Sequence, residues 1–124
     1  MQIRSEQFFL LEANFRARRR DRLLKEVRLF LLNMPSMADV EALRRIDEAI
    51  EDGKLINITR DEDLVRFAAL AFLPESVLGE PSFASALVRT LNRDQWAASK
   101  RLDFIYRHLV GNLIPAYRQS LRTR

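Results

Sequence analysis

Thr59-Arg60-Asp61-Glu62-Asp63-Leu64-Val65-Arg66-Phe67-Ala68-Ala69-Leu70-Ala71-Phe72 is the stretch that decides the fold. Its first four residues read as a capping box, in which the Thr59 hydroxyl accepts from the Glu62 amide while the Glu62 carboxylate reaches back. Asp61, Glu62 and Asp63 then fill the first turn, where the positive end of the helix dipole favours acids. From Leu64 to about Leu73 the stretch is apolar almost all round. A helix with so little polar surface has to be covered on every side. Strand-like alternation is absent from the chain, so the cover must come from other helices. The stretch therefore predicts the central helix of an all-α bundle, with alanines that let its neighbours approach closely.

The flanking sequence supplies those neighbours. Ser5 is a plausible N-cap and Pro35 a stop signal for a long first helix, expected from about Ser5 to about Asn33. Its apolar stripe, Phe8, Leu11, Phe15, Leu23, Val27, Phe30 and Leu31, steps by threes and fours and is expected to face the core. Such a helix spans about 40 Å. Ser36 followed by Asp39 is an acidic variant of the capping box and opens a second helix, expected over about 37–52. Val40, Leu43, Ile46, Ala49 and Ile50 share one face, and Gly53 reads as the left-handed residue that ends the helix. Pro74, Gly79 and Pro81 mark a loop. A shorter helix is expected from Ser82 to Leu91. Asn92 with Gln95 reads as the cap of a last helix over about 93–110, which presents Ala98, Leu102, Ile105, Tyr106 and Leu109 and is ended by Gly111 and Pro115. The expectation is one domain over 1–124, a bundle of about five helices, with 116–124 a frayed basic tail.

Composition removes whole classes of function. The 124 residues include no cysteine, one histidine and three glycines, which leaves no thiol nucleophile, disulfide, thiolate metal site or glycine-rich phosphate cradle. A chain of this length buries roughly two thirds of its surface and needs no such staple. Its uncharged, mostly apolar stretch Phe67 to Pro74 is far short of the ~20 residues of a membrane span. The start, Met1-Gln2-Ile3-Arg4-Ser5-Glu6, lacks the apolar core of a secretory signal, so a cytoplasmic location and no membrane partner are expected. His108 has no neighbouring carboxylate or nucleophile at a catalytic spacing, and no H-x-x-x-H or E-x-x-H pair advertises a metal. No catalytic residue, cofactor or metal site is expected.

Of the 21 basic residues, 18 are arginine and three lysine, for a net charge of +4. The balance is uneven along the chain. Residues 36–64 hold nine acids and four bases, whereas 1–35 and 65–124 carry net charges of +4 and +5. This pattern reads as internal complementarity or as one pole of a binding surface. The loudest local signal is Arg16, Arg18, Arg19, Arg20 and Arg22. Arg16 and Arg20 share a helix face, Arg18 and Arg22 another, so they form no single stripe, and Glu12, Asp21 and Glu26 are near enough to pair with them. The cluster reads as a solvated or partner-binding surface, with phosphate contact as the alternative. Arg19 differs: it lies in the series Leu11, Phe15, Arg19, Leu23, Val27 and Leu31. Either the stripe rotates there, or Arg19 reaches into the bundle, largely buried, and pairs with a carboxylate of the 61–63 turn. Trp96 and Tyr117 lie off the apolar stripes and are candidate interface anchors. The candidate partner-binding surface is thus Arg16, Arg18, Arg20, Arg22, Trp96 and Tyr117.

The chain resembles the small helical proteins encoded beside spike and effector genes of bacterial type VI secretion systems. The resemblance covers about the first 75 residues. It rests on the opening element Ile3-Arg4-Ser5-Glu6-Gln7, on the Arg-rich run Arg18 to Arg22 followed by Leu23, Val27, Arg28 and Phe30, and on Ile58-Thr59-Arg60-Asp61-Glu62-Asp63-Leu64 before the apolar helix. The chain departs from the family where it has Leu55-Ile56-Asn57 in place of a glycine-aromatic turn. The resemblance implies a non-enzymatic accessory protein, a co-chaperone or adaptor partner for a secretion effector, and no catalytic residues. A small nucleic-acid-binding regulator using Arg16–Arg22 and a toxin immunity protein are the alternatives.

Overall fold

The protein was analysed as a computed structural model that describes residues 5–31 and 36–110, with side chains from residue 11 onward. It is all-α. In chain order the described elements are α1 (Ser5–Phe30), α2 (Asp39–Leu55), α3 (Asp61–Leu70), α4 (Glu75–Leu78), α5 (Pro81–Leu91) and α6 (Ala98–Phe104), which runs on into a π-helical stretch, Ile105–Val110. There is no strand among the described residues. The apolar α3 is the hub: it packs against α1, α2 and α6, and buries Leu64, Val65, Ala68, Ala69 and Leu70. Leu23 and Val27 of α1, Ile46 of α2, Phe72, Phe83 and Leu102 complete one continuous core. Each such large side chain stabilises the fold by roughly 1.5–3 kcal/mol on burial.

Several helix ends differ from their sequence signals, each for a local reason. At α3 the backbone is still extended at Arg60, the helix begins at Asp61, and no side chain caps it. The Thr59–Glu62 box does not form, because the N-cap falls on Arg60, one residue past Thr59, and Glu62 is ion-paired with Arg60. Helix α2 begins at Asp39 with Ala38 as an uncapped N-cap, so Ser36 plays no capping part. The first helix closes at Phe30, short of Asn33, and the cap at Ser5 and the stops at Pro35, Gly111 and Pro115 lie outside the described residues or side chains. Helix α5 starts one residue early, on Pro81 at its first position, with the Glu80 carboxylate accepting from the amides of Ser82 (3.1 Å) and Phe83 (2.7 Å). The preceding loop contains the single turn α4. Asn92 closes α5 instead of opening a new helix, and α6 waits until Ala98. In the π-helical stretch Ile105, Tyr106 and Val110 are buried, and Leu109 is only partly so. The five-residue step of a π-helix moves the last core position from Leu109 to Val110.

Gly53 is the largest correction. It does not end α2 in a left-handed conformation; the helix continues to Leu55, and Asn57 takes the left-handed position at φ 60°. The Gly53 carbonyl accepts from the amides of Ile56 (3.2 Å) and Ile58 (2.8 Å), so the chain folds back over it. A Cβ at Gly53 would sit 2.4 Å from the Ile58 carbonyl oxygen and 3.0 Å from Leu64 Cδ2. Glycine is required there for close approach. Two guanidiniums finish the packing at helix C-termini, where the dipole favours cations. Arg45 Nη1 donates to the Ala71 carbonyl (2.6 Å), and Arg101 Nη1 to the Leu91 carbonyl (2.6 Å).

Gly53→Ala is expected to lower stability by about 1–3 kcal/mol, the range for forcing atoms into a filled site, read as a shift of the urea midpoint. Asn57→Gly, which relieves a left-handed residue, should hold or raise that midpoint. An unshifted midpoint in Gly53→Ala would remove the close-approach account of this turn.

Candidate partner-binding surface

Helix α1 divides at Arg19. Downstream, Leu23, Leu24 and Val27 are buried against α2 and α3. Upstream, on the same stripe, Leu11 is exposed and Phe15 is 65% exposed. The expectation that the whole stripe faces the core is therefore corrected: the helix keeps its register but runs past the start of α3, which Arg19 meets at Asp61, so the upstream apolar residues meet solvent. The side chain of Phe8 lies outside the described ones.

Arg19 sits at the boundary and joins α1 to the start of α3. Its Nε donates to Asp61 Oδ1 (3.0 Å), and its Nη2 donates to the Thr59 carbonyl (3.0 Å). Arg22, one turn on, pairs with the other oxygen of the same carboxylate. Pairing with the 61–63 turn is as expected, but the Arg19 side chain remains 35% exposed and is not largely buried. Partial burial pushes the Asp61 carboxyl upward; hydrogen bonds from Arg19 and Arg22 outweigh it and hold the group below the usual aspartate range.

The other members of the candidate surface are distributed over separate faces. Arg16 is exposed and pairs with Glu12 at 2.7 Å. Arg20 turns toward α2, 3.3 Å from Asp47 and 3.9 Å from Asp21. Arg16 and Arg20 line a cleft of about 490 Å³ between α1 and α2, which Asp47, Glu51 and Lys54 close from the other side. Arg22 faces α3. Arg18 is exposed and makes no ion pair among the described residues. Trp96 stands apart from all of these, in the α5–α6 connection, packed 5.6 Å from Phe104. Tyr117 lies outside the described residues. Arg93 and Lys100, which are not among the sequence-predicted candidates, bring their charges over the Trp96 indole ring at 4.5 and 4.6 Å. Their spacing, three residues before Trp96 and four after it, was the available signal.

Three acids of the middle of the chain are bonded to α1, and most of the others pair with nearer bases of α2, α3 and the turn between them. Arg28 reaches Asp39 (2.6 Å), Arg20 reaches Asp47, and Arg19 and Arg22 reach Asp61. His108 is exposed and stacks at 4.9 Å on Phe104. Among the described residues no three Asp, Glu or His side chains gather to hold a metal ion, and no helix is long and apolar enough to cross a membrane.

Arg19→Ala should cost about 1–2 kcal/mol, as expected for hydrogen bonds to a charged group that is only partly buried. Arg18→Ala should stay within about 0.5 kcal/mol of the parent. Thermal melts of the two variants decide it: equal, small shifts would make Arg19 one more surface arginine. Asp61 also sets an acid limb. Its bonded form is the carboxylate, so its contribution is complete above the unfolded-state value of about 3.9 and disappears as pH falls through the lower folded value. Asp61→Asn should therefore show a smaller loss of stability between about pH 5 and pH 2 than the parent. An unaltered acid limb would exclude Asp61 as its source.

Comparison of the chain with protein-family models, with curated proteins and with solved structures finds no match.

Proposed function

We propose that the protein is a non-enzymatic protein-binding module, and that its partner is a type VI secretion effector or the adaptor of one, toward which it acts as an accessory or co-chaperone. The observation that carries the first part is the apolar face of α1 upstream of Arg19, where Leu11 and Phe15 stand in solvent one turn apart. A phenylalanine left largely uncovered on a regular helix loses the burial that its type usually contributes, and such residues are anchors when a second protein covers them. The helix bearing it is anchored at its other end by the core and by the Asp61 clamp, so the face is presented with little ordering cost to binding. The second part is supported by the resemblance of residues 3–7, 18–30 and 58–72 to the type VI accessory family.

Nucleic-acid binding through Arg16–Arg22 has less to rest on. Arg16, Arg20 and Arg22 each already hold a carboxylate of this chain, and phosphate would have to displace it.

Co-expression with the effector and adaptor candidates encoded beside its gene should yield a complex that survives washing at about 200 mM salt, where a purely phosphate-type contact would be weakened strongly. Phe15→Glu should abolish that complex while leaving the melting temperature close to the parent's, since the side chain is exposed. Retention of the complex by Phe15→Glu would refute the α1 face as the binding surface. Selective, salt-resistant capture of DNA or RNA, with no protein partner held, would replace this function by the nucleic-acid reading.

A further inference from the structure

The cations of the chain fall into two populations. Most of those on α1, Arg16, Arg19, Arg20, Arg22 and Arg28, are bonded to acids of α1, α2 and α3, while Arg18 and Lys25 make no ion pair among the described residues. Within residues 89–108, Arg89, Arg93, Lys100 and Arg107 are all exposed and make no ion pair among the described residues. Residues 89–108 hold five bases and two acids. One of the acids, Asp103, is bonded to Arg66 (2.5 Å), which leaves Asp94 as the remaining acid of the segment. Below the surface Arg101 is 3% exposed, its guanidinium has no carboxylate partner among the described residues and donates to the Leu91 carbonyl, and its Nε lacks a hydrogen-bond partner. A buried, uncompensated positive charge adds to the field of the face above it.

On that face the cations are organised around aromatic rings. Trp96, Lys100, Phe104 and His108 recur every four residues, so α6 and its π-helical continuation stack them along one side. Arg93 and Lys100 lie over the indole at 4.5 and 4.6 Å, Phe104 packs on it at 5.6 Å, and His108 on Phe104 at 4.9 Å. Trp96 and Phe104 are half-buried. Held over a ring, the two cations have fewer conformations to lose when an anion arrives.

We propose that the face formed by Arg93, Trp96 and Lys100 is a docking site for an acidic segment of a partner protein. The charge balance calls for an anionic occupant, and the aromatic surface between the charges calls for one that also carries apolar side chains. A carboxylate-bearing peptide meets both demands. The indole is enclosed by two cations and Phe104 and does not stand clear as a platform for stacking a base. The cations are few and are interrupted by Asp94, so they trace no phosphate track. Elsewhere the chain shows the same chemistry, with Arg19 and Arg22 sharing one aspartate. The site takes its occupant to be a protein from the proposed function but lies on α6, away from the α1 face, so the two are tested separately.

Trp96 is the only tryptophan, so its emission reports on this site alone. The full chain is titrated at low and moderate salt with a short synthetic peptide of glutamate and leucine, and in parallel with short oligo-dT. The expected result is a saturable change in emission with the peptide, weakened by salt. The double variant Arg93→Glu/Lys100→Glu, exposed positions that leave the core untouched, should lower the affinity at least about tenfold. Arg16→Glu and Phe15→Glu should leave it within about twofold, whether or not the α1 face binds a partner. No response to the peptide, or a response that the double reversal leaves unchanged, overturns the proposal. Tighter binding of oligo-dT, lost in the same double variant, also overturns it and gives the face to single-stranded nucleic acid.

Discussion

The close approach of Gly53 to Ile58 is the constraint on which the rest of the molecule hangs. With no side chain at position 53, the chain leaving α2 can turn back on it at once, and Ile58 is driven fully into the core. That turn delivers α3 into the middle of the bundle with its first residue, Asp61, facing α1. Two arginines of α1 then close on one carboxylate, and this clamp sits where α1 passes from covered to uncovered. The same turn thus sets both the core contact of α3 and the point beyond which α1 offers its apolar face to solvent. A methyl group at position 53 would strain all three relations together.

Charge is divided between holding the molecule together and facing outward. Asp39 and Asp47 of α2 and Asp61 at the start of α3 are taken up by arginines of α1, an arrangement that adds specificity of register more than raw stability, since exposed pairs are individually weak. The arginine-rich run that dominates the sequence is therefore mostly an internal fastening. Besides Arg18 and Lys25 on α1, the unpaired cations facing solvent among the described residues lie in α5, in the loop after it and along α6 with its π-helical continuation, and two of them, Arg93 and Lys100, gather on Trp96. The proposed functions assign an apolar anchor at one end of the molecule and an electrostatic one elsewhere. A single extended partner touching both would gain from their effective concentration.

By itself the sequence determined the helical class, the long first helix and the central position of residues 61–73, because a 3.6-residue period and an all-round apolar helix have few other solutions. It also singled out Arg19, an arginine on a core stripe, as one that pairs with a carboxylate unless the stripe rotates there. Helix ends were legible only in part. Thr59, Ser36 and Asn92 carry capping chemistry, but the backbone turns elsewhere: Glu62 pairs with Arg60, Asp39 with Arg28, and Asn92 closes α5. Only the tertiary structure decided which acid Arg19 meets, that Gly53 serves packing and not a left-handed turn, that Arg101 is buried, and that Leu11 and Phe15 are not. Periodicity reports which residues share a face. Whether another helix is there to cover that face, and which of several acids a long arginine side chain can reach, depends on where separate helices end relative to one another, and that is settled only when they pack.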